Sequence, residues 1–156
     1  IIQTQGTLLE ASGQAIAIAA FIPLLTGTGG NIGAQSSTVV IRGLNTDELV
    51  ALGPFQVIFR EAMAGLLLGT SLGTLATFWA HYVMQKQLTV AIAVGLSLVV
   101  ISLLASVSGS ALPFLFRTLR LDPALMSAPF ITTAVDVLGV LIYFNIARVI
   151  LTSGAV

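Results

Sequence analysis

The chain has 156 residues, 56% of them hydrophobic and only 8% charged, with six Lys and Arg balancing six Asp and Glu; its mean hydropathy is +1.05. An ordinary soluble domain carries about 25% charged residues, so this composition excludes one, and the zero net charge points to neither nucleic acid nor an acidic soluble partner. The absence of cysteine removes disulfides, thiolate metal sites and thiol redox chemistry, and a single His argues against soft-metal chemistry.

The expectation is one all-α integral membrane domain, a polytopic helix bundle with four visible spans. Ile1 to Thr7 carries neither an initiator Met nor a basic n-region and reads as the start of a fragment or processed chain rather than a signal peptide. The first span is expected over about 8–41 and broken near 23–33, where Pro23 and Gly27, Gly29, Gly30 and Gly33 interrupt a helical pattern. Asn45 to Glu48 then reads as a loop and helix start, with Asn45 as N-cap and Glu48 completing a capping box.

The second span, about 55–82, opens near Arg60 and Glu61, read as an interfacial ion pair, and closes on Trp79, His81 and Tyr82, read as an interfacial aromatic belt. Gly65, Gly69 and Gly73 form a doubled GxxxG ridge that lets another helix approach closely. The third span, about 88–116, carries Ser102, Ala105, Ser106, Gly109 and Ser110 on adjoining faces, another packing pattern, with Pro113 placed to kink its end. Asp122 followed by Pro123 is an N-cap with proline at the first helical position, and the fourth span follows at about 126–151.

Arg42, Arg60, Arg117 and Arg120 fall on one side of the membrane by this alternation, and Lys86 and Arg148 on the other. The positive-inside tendency makes the Arg42 and Arg117 loops cytoplasmic and turns both termini of this chain outward.

Asp136 is the only acid well inside an apolar stretch. At about 1.5 Å per residue it lies roughly 13 Å into the last span, near the middle of a hydrocarbon layer about 30 Å thick. An acid there costs roughly 2.5 to 3.5 kcal/mol on insertion scales, so it calls for a partner or a function. Ala128, Thr132, Asp136, Gly139 and Tyr143 recur at three- and four-residue spacing and share one stripe. The break region of the first span offers Asn31, Gln35, Ser36, Ser37 and Thr38, with glycine carbonyls freed from regular helix, as oxygen ligands without fixed charge. An oxygen-lined path with one carboxylate per chain suits Mg²⁺, which keeps much of its water and takes one or two carboxylates.

Two segments carry a resemblance. PLLTGTGGNIGAQ, from Pro23 to Gln35, and DPALMSAPFITTAVDVLGVLIYF, from Asp122 to Phe144, resemble the signatures of the MgtE family of magnesium channels and transporters. The resemblance implies a homodimer in a plasma (inner) membrane, a pore at the dimer axis, and hydrated Mg²⁺ as the transported ion. It implies Asp136 as the metal site, with Asn31, Gln35, Ala128, Thr132 and Gly139 lining the pore. It also implies that the family's first span and its cytoplasmic regulatory domains are not present in this chain. Where some members carry Asn, this chain has Ala34 and Ala128, so its polar constriction is organised differently.

Three other readings stay open on sequence. A broader carrier would also take Co²⁺ or Mn²⁺, because oxygen ligation does not enforce size. A non-transporting scaffold subunit would use the glycine ridges for assembly and merely pair Asp136. An enzyme would use Ser108 or Ser110 as nucleophile and His81 as base, though the topology separates them by most of a bilayer.

Overall fold

The computed structural model describes residues 13, 16–46, 49 and 52–153, without the side chains of 124–128 and 153. Among these residues stand four long α-helices: α1 (Ile22–Asn45), α2 (Pro54–Phe78), α3 (Leu88–Thr118) and α4 (Pro123–Ser153). Each belongs to a segment long and apolar enough to cross a membrane. Even the 24 residues of α1 reach about 36 Å against a hydrocarbon core of about 30 Å. The chain is an all-helical integral membrane protein.

Helix α3 lies at the centre. Of its most apolar window 61% is buried inside the molecule, against 17% for the span that contains α2 and 22% for that of α4. Helices α1 and α4 run antiparallel and pack on each other and on α3, while α2 lies along the opposite flank of α3 and barely meets α1. Phe116 of α3 meets Phe130 of α4 edge to face at 6.2 Å, next to the turn that joins them.

Small residues set how closely α2 approaches α3. Gly65 lies against Ser106, Gly69 against Ser102 and Val99, and Gly73 against Gly95. Elsewhere on α3 buried serines return their hydroxyls to their own helix: Ser97 Oγ donates to the Ala93 carbonyl at 2.6 Å and Ser110 Oγ to the Ser106 carbonyl at 2.7 Å. The ridge expected at 65, 69 and 73 is therefore the α2–α3 seam.

The break expected near 23–33 is not there. Helix α1 runs continuously through Gly27, Gly29, Gly30 and Gly33, and Pro23 occupies its first turn, where a missing N–H goes unmissed. The interruption lies earlier, at the turn residues Ala20 and Phe21, which separate α1 from a helical lead-in at 16–19. Packing explains the glycines instead. A Cβ at Gly29 would stand 2.6 Å from Ile101 Cγ2 and 2.8 Å from Val135 Cγ1, and one at Gly33 would stand 2.6 Å from Ile131 Cγ2. These positions have no room for a side chain, and their neighbours hold them helical.

Asn45 ends α1 rather than capping α2, whose N-cap is Gly53 ahead of Pro54; Asp47 and Glu48 lie outside the described residues. A π-helical turn, Trp79–Val83, continues α2, and the Lys86 carbonyl faces His81 Nδ1 at 3.0 Å. Because a carbonyl only accepts, that nitrogen carries the proton. Pro113 sits inside α3, which continues past it to Thr118.

Candidate ion site

The α1–α4 crossing is tight because both helices bring small groups to it. Gly29 meets Val135, Gly33 meets Ile131, and Gly30 lies under Asp136 and Thr132. A Cβ built at Gly30 would stand 3.6 Å from Asp136 Oδ1 and 3.6 Å from Thr132 Cγ2. The Asp136 carboxylate therefore lies over the backbone of α1, and the residue itself is exposed.

Polar groups extend from that point along both helices. On α1 the exposed residues Gly27, Asn31, Gln35, Thr38 and Arg42 recur at three- and four-residue spacing, one stripe beside Gly30. On α4, Thr132 is half-buried and Thr133 exposed, and both hydroxyls donate to the Pro129 carbonyl, at 3.1 and 3.0 Å. The exposed apolar side chains elsewhere on the molecule, such as Phe55, Leu67, Leu75 and Leu141, suit lipid. This stripe does not.

The structure brings Asp136 and Thr132 together against Gly30 of α1, leaves Asn31 and Gln35 exposed on that helix, and buries two other members of the α4 stripe. Gly139 is buried, and a Cβ built there would stand 3.6 Å from Ile101 Cδ1 on α3. Tyr143 is fully buried beneath the lead-in to α1, its hydroxyl donating to the Ile18 carbonyl at 3.0 Å. Spacing along α4 was right, but the crossing lead-in covers one end of the stripe. The Ala128 side chain lies outside the described residues.

No His, Cys, Asp or Glu cluster of three or more forms among the described residues, and the carboxylate at this crossing is that of Asp136. Basic residues are far away. Arg148 follows Asp136 on the same helix by about 18 Å and is exposed, as is Arg60 on the remote α2. Glu61, beside Arg60, is half-buried.

The serine and histidine of the enzyme reading do not meet. His81 lies just before α3 begins at Leu88, while Ser110 lies about 33 Å further along that helix. Ser110 is buried and its hydroxyl is committed to the Ser106 carbonyl.

Sequence reasoning missed the separate place of Gly30, which it had grouped with its neighbours. Only the direction of each missing Cβ distinguishes them.

Residues 22–146 match the MgtE family, described as a divalent cation transporter. The chain is 41% identical over 154 residues to the magnesium transporter MgtE of Thermus thermophilus, which covers 97% of this chain and 32% of that protein. It is 35% identical over 144 residues to the magnesium transporter MgtE of Bacillus subtilis, 92% of this chain and 32% of that protein. For the magnesium transporter MgtE of Enterococcus faecalis the figures are 38% over 134 residues, 86% and 29%. The chain thus spans about a third of the length of these relatives. By the extent of the family match and by these identities, the chain belongs to the MgtE family.

Proposed function

We propose that this chain conducts hydrated divalent cations, Mg²⁺ foremost, through a path enclosed by two copies of itself, with the paired Asp136 carboxylates as the ion site. The observation that carries the reading is an exposed acid at mid-span of α4, lying against Gly30 of α1, with an exposed polar stripe along α1 itself. Lipid cannot cover an ionised carboxylate without a cost of roughly 2.5 to 3.5 kcal/mol, so this face belongs against water and a second polar surface. A second copy related by twofold symmetry supplies such a surface and a second carboxylate. The relatives named as magnesium transporters favour Mg²⁺ among hard cations.

The mechanism is electrostatic and needs no catalytic residue. Mg²⁺ sheds its inner waters reluctantly, and two carboxylates supply charge to the intact hydrate. Asn31, Gln35 and Thr132 hydrogen-bond its waters as it passes. A divalent ion gains about 4.6 kcal/mol for each 100 mV it descends, which drives entry into a cell negative inside. The Arg42 and Arg117 loops occupy the cytoplasmic side of the plasma membrane in this orientation. They lie at one end of the molecule, where Ile41, Asn45, Arg117 and Asp122 line a common cleft.

The test is Mg²⁺ flux into vesicles carrying Asp136→Ala, with Co²⁺ and Mn²⁺ as competitors. Flux should fall to the background of empty vesicles while membrane insertion is unchanged. Undiminished flux would refute the assignment.

A further inference from the structure

We infer that Gly30 is a positioning residue for Asp136, its missing side chain setting how firmly the carboxylate holds the ion. This rests on the ion-site reading above and deepens it. The three glycines at the α1–α4 crossing are not equivalent. Gly29 and Gly33 are sterically required, since a Cβ at either would lie 2.6 Å from an isoleucine methyl. Gly30 is not: a Cβ there would find its nearest neighbours, Asp136 Oδ1 and Thr132 Cγ2, at an ordinary 3.6 Å. Glycine inside a helix is about 1 kcal/mol worse than alanine, so local propensity favours alanine at a site whose packing admits it.

The group that such a methyl would meet is what makes the position special. The carboxylate of Asp136 faces the backbone of α1 across Gly30. A methyl would put hydrocarbon against Oδ1, limit its access to water and restrict the side chain's swing toward α1. With that oxygen held against a methyl, the carboxylate turns less readily toward the hydrated ion. A hydroxyl at the same place acts oppositely. Serine Oγ, one bond beyond a Cβ at 3.6 Å, can reach Oδ1 at the usual O–H···O distance of about 2.5 to 3.0 Å and donate to it. Serine is also larger than alanine, so steric crowding and carboxylate positioning order the two variants differently.

The experiment measures half-saturating Mg²⁺ and maximal flux for the full chain in vesicles, and the thermal midpoint in detergent. The variants are Gly30→Ala, Gly30→Ser and Asp136→Asn. Gly30→Ala should insert normally, keep its midpoint and raise half-saturating Mg²⁺ about three- to tenfold. Gly30→Ser should return it to within about twofold of the unaltered chain. Unchanged half-saturation in Gly30→Ala, with Asp136→Asn inactive, overturns this inference alone. A poorer Gly30→Ser than Gly30→Ala, or a Gly30→Ala that fails to insert, makes the position merely steric and overturns it too. Normal transport by Asp136→Asn overturns the ion site and this inference together.

Discussion

Replacing Gly73 with alanine should loosen α2 from α3. A Cβ at that position would lie 2.5 Å from the Gly95 carbonyl oxygen and 3.2 Å from Val99 Cγ2. Comfortable separation is about 3.5 Å, so the shortfall against the carbonyl is about 1 Å. The obstructing atom belongs to the backbone of α3 and cannot rotate away, so the helices must separate locally by most of that distance. A radial gap of about 0.5 to 1 Å forfeits a quarter to a half of each contact's dispersion attraction. Overpacking of this kind costs about 1 to 3 kcal/mol. The better helix propensity of alanine returns about 1 kcal/mol, leaving a net loss of up to about 2 kcal/mol. The assay is thermal unfolding in detergent, with Gly27→Ala as reference, because a Cβ at Gly27 has nothing within 4 Å. Gly27→Ala should match or exceed the unaltered chain while Gly73→Ala melts lower. Equal midpoints for the two variants would show that Cβ clearance does not limit this seam.

Tyr143→Phe removes the hydroxyl that donates to the Ile18 carbonyl and should cost about 1 kcal/mol. Hydrogen exchange should accelerate at residues 16–21, and unchanged protection there would refute a tethering role. Ser102 is fully buried and its Oγ finds no partner among the described residues. Ser102→Ala should therefore be neutral or stabilising by up to about 1 kcal/mol, whereas Ser110→Ala loses a made hydrogen bond. A lower thermal midpoint for Ser102→Ala than for Ser110→Ala would contradict this.

Span number, order and approximate limits were legible because apolar length alone decides whether a helix can cross a bilayer. Asp136 stands out as a candidate on sequence because no other acid lies deep in an apolar run. The glycines of α1 were misjudged for a specific reason. A chain break and a close helix crossing both need residues without Cβ, and only a neighbour such as Ile101 or Val135 distinguishes them. Asn45 similarly satisfied the chemistry of a helix start while ending one. Helical spacing grouped Tyr143 and Gly139 with Asp136, but spacing cannot say which segment crosses above. Burial of Tyr143 is decided by residue 18, more than a hundred positions away.

The single seam of α2 divides that helix into two kinds of surface with unequal freedom to change. Phe55, Phe59, Met63 and Leu67 stand exposed, where any side chain of comparable oiliness serves a fluid neighbour equally well. Gly65, Gly69 and Gly73 answer to a fixed one. Random drift in this helix should thus scatter widely over most of its circumference and leave one narrow edge nearly unvaried, so that its ancestry is written in its smallest residues.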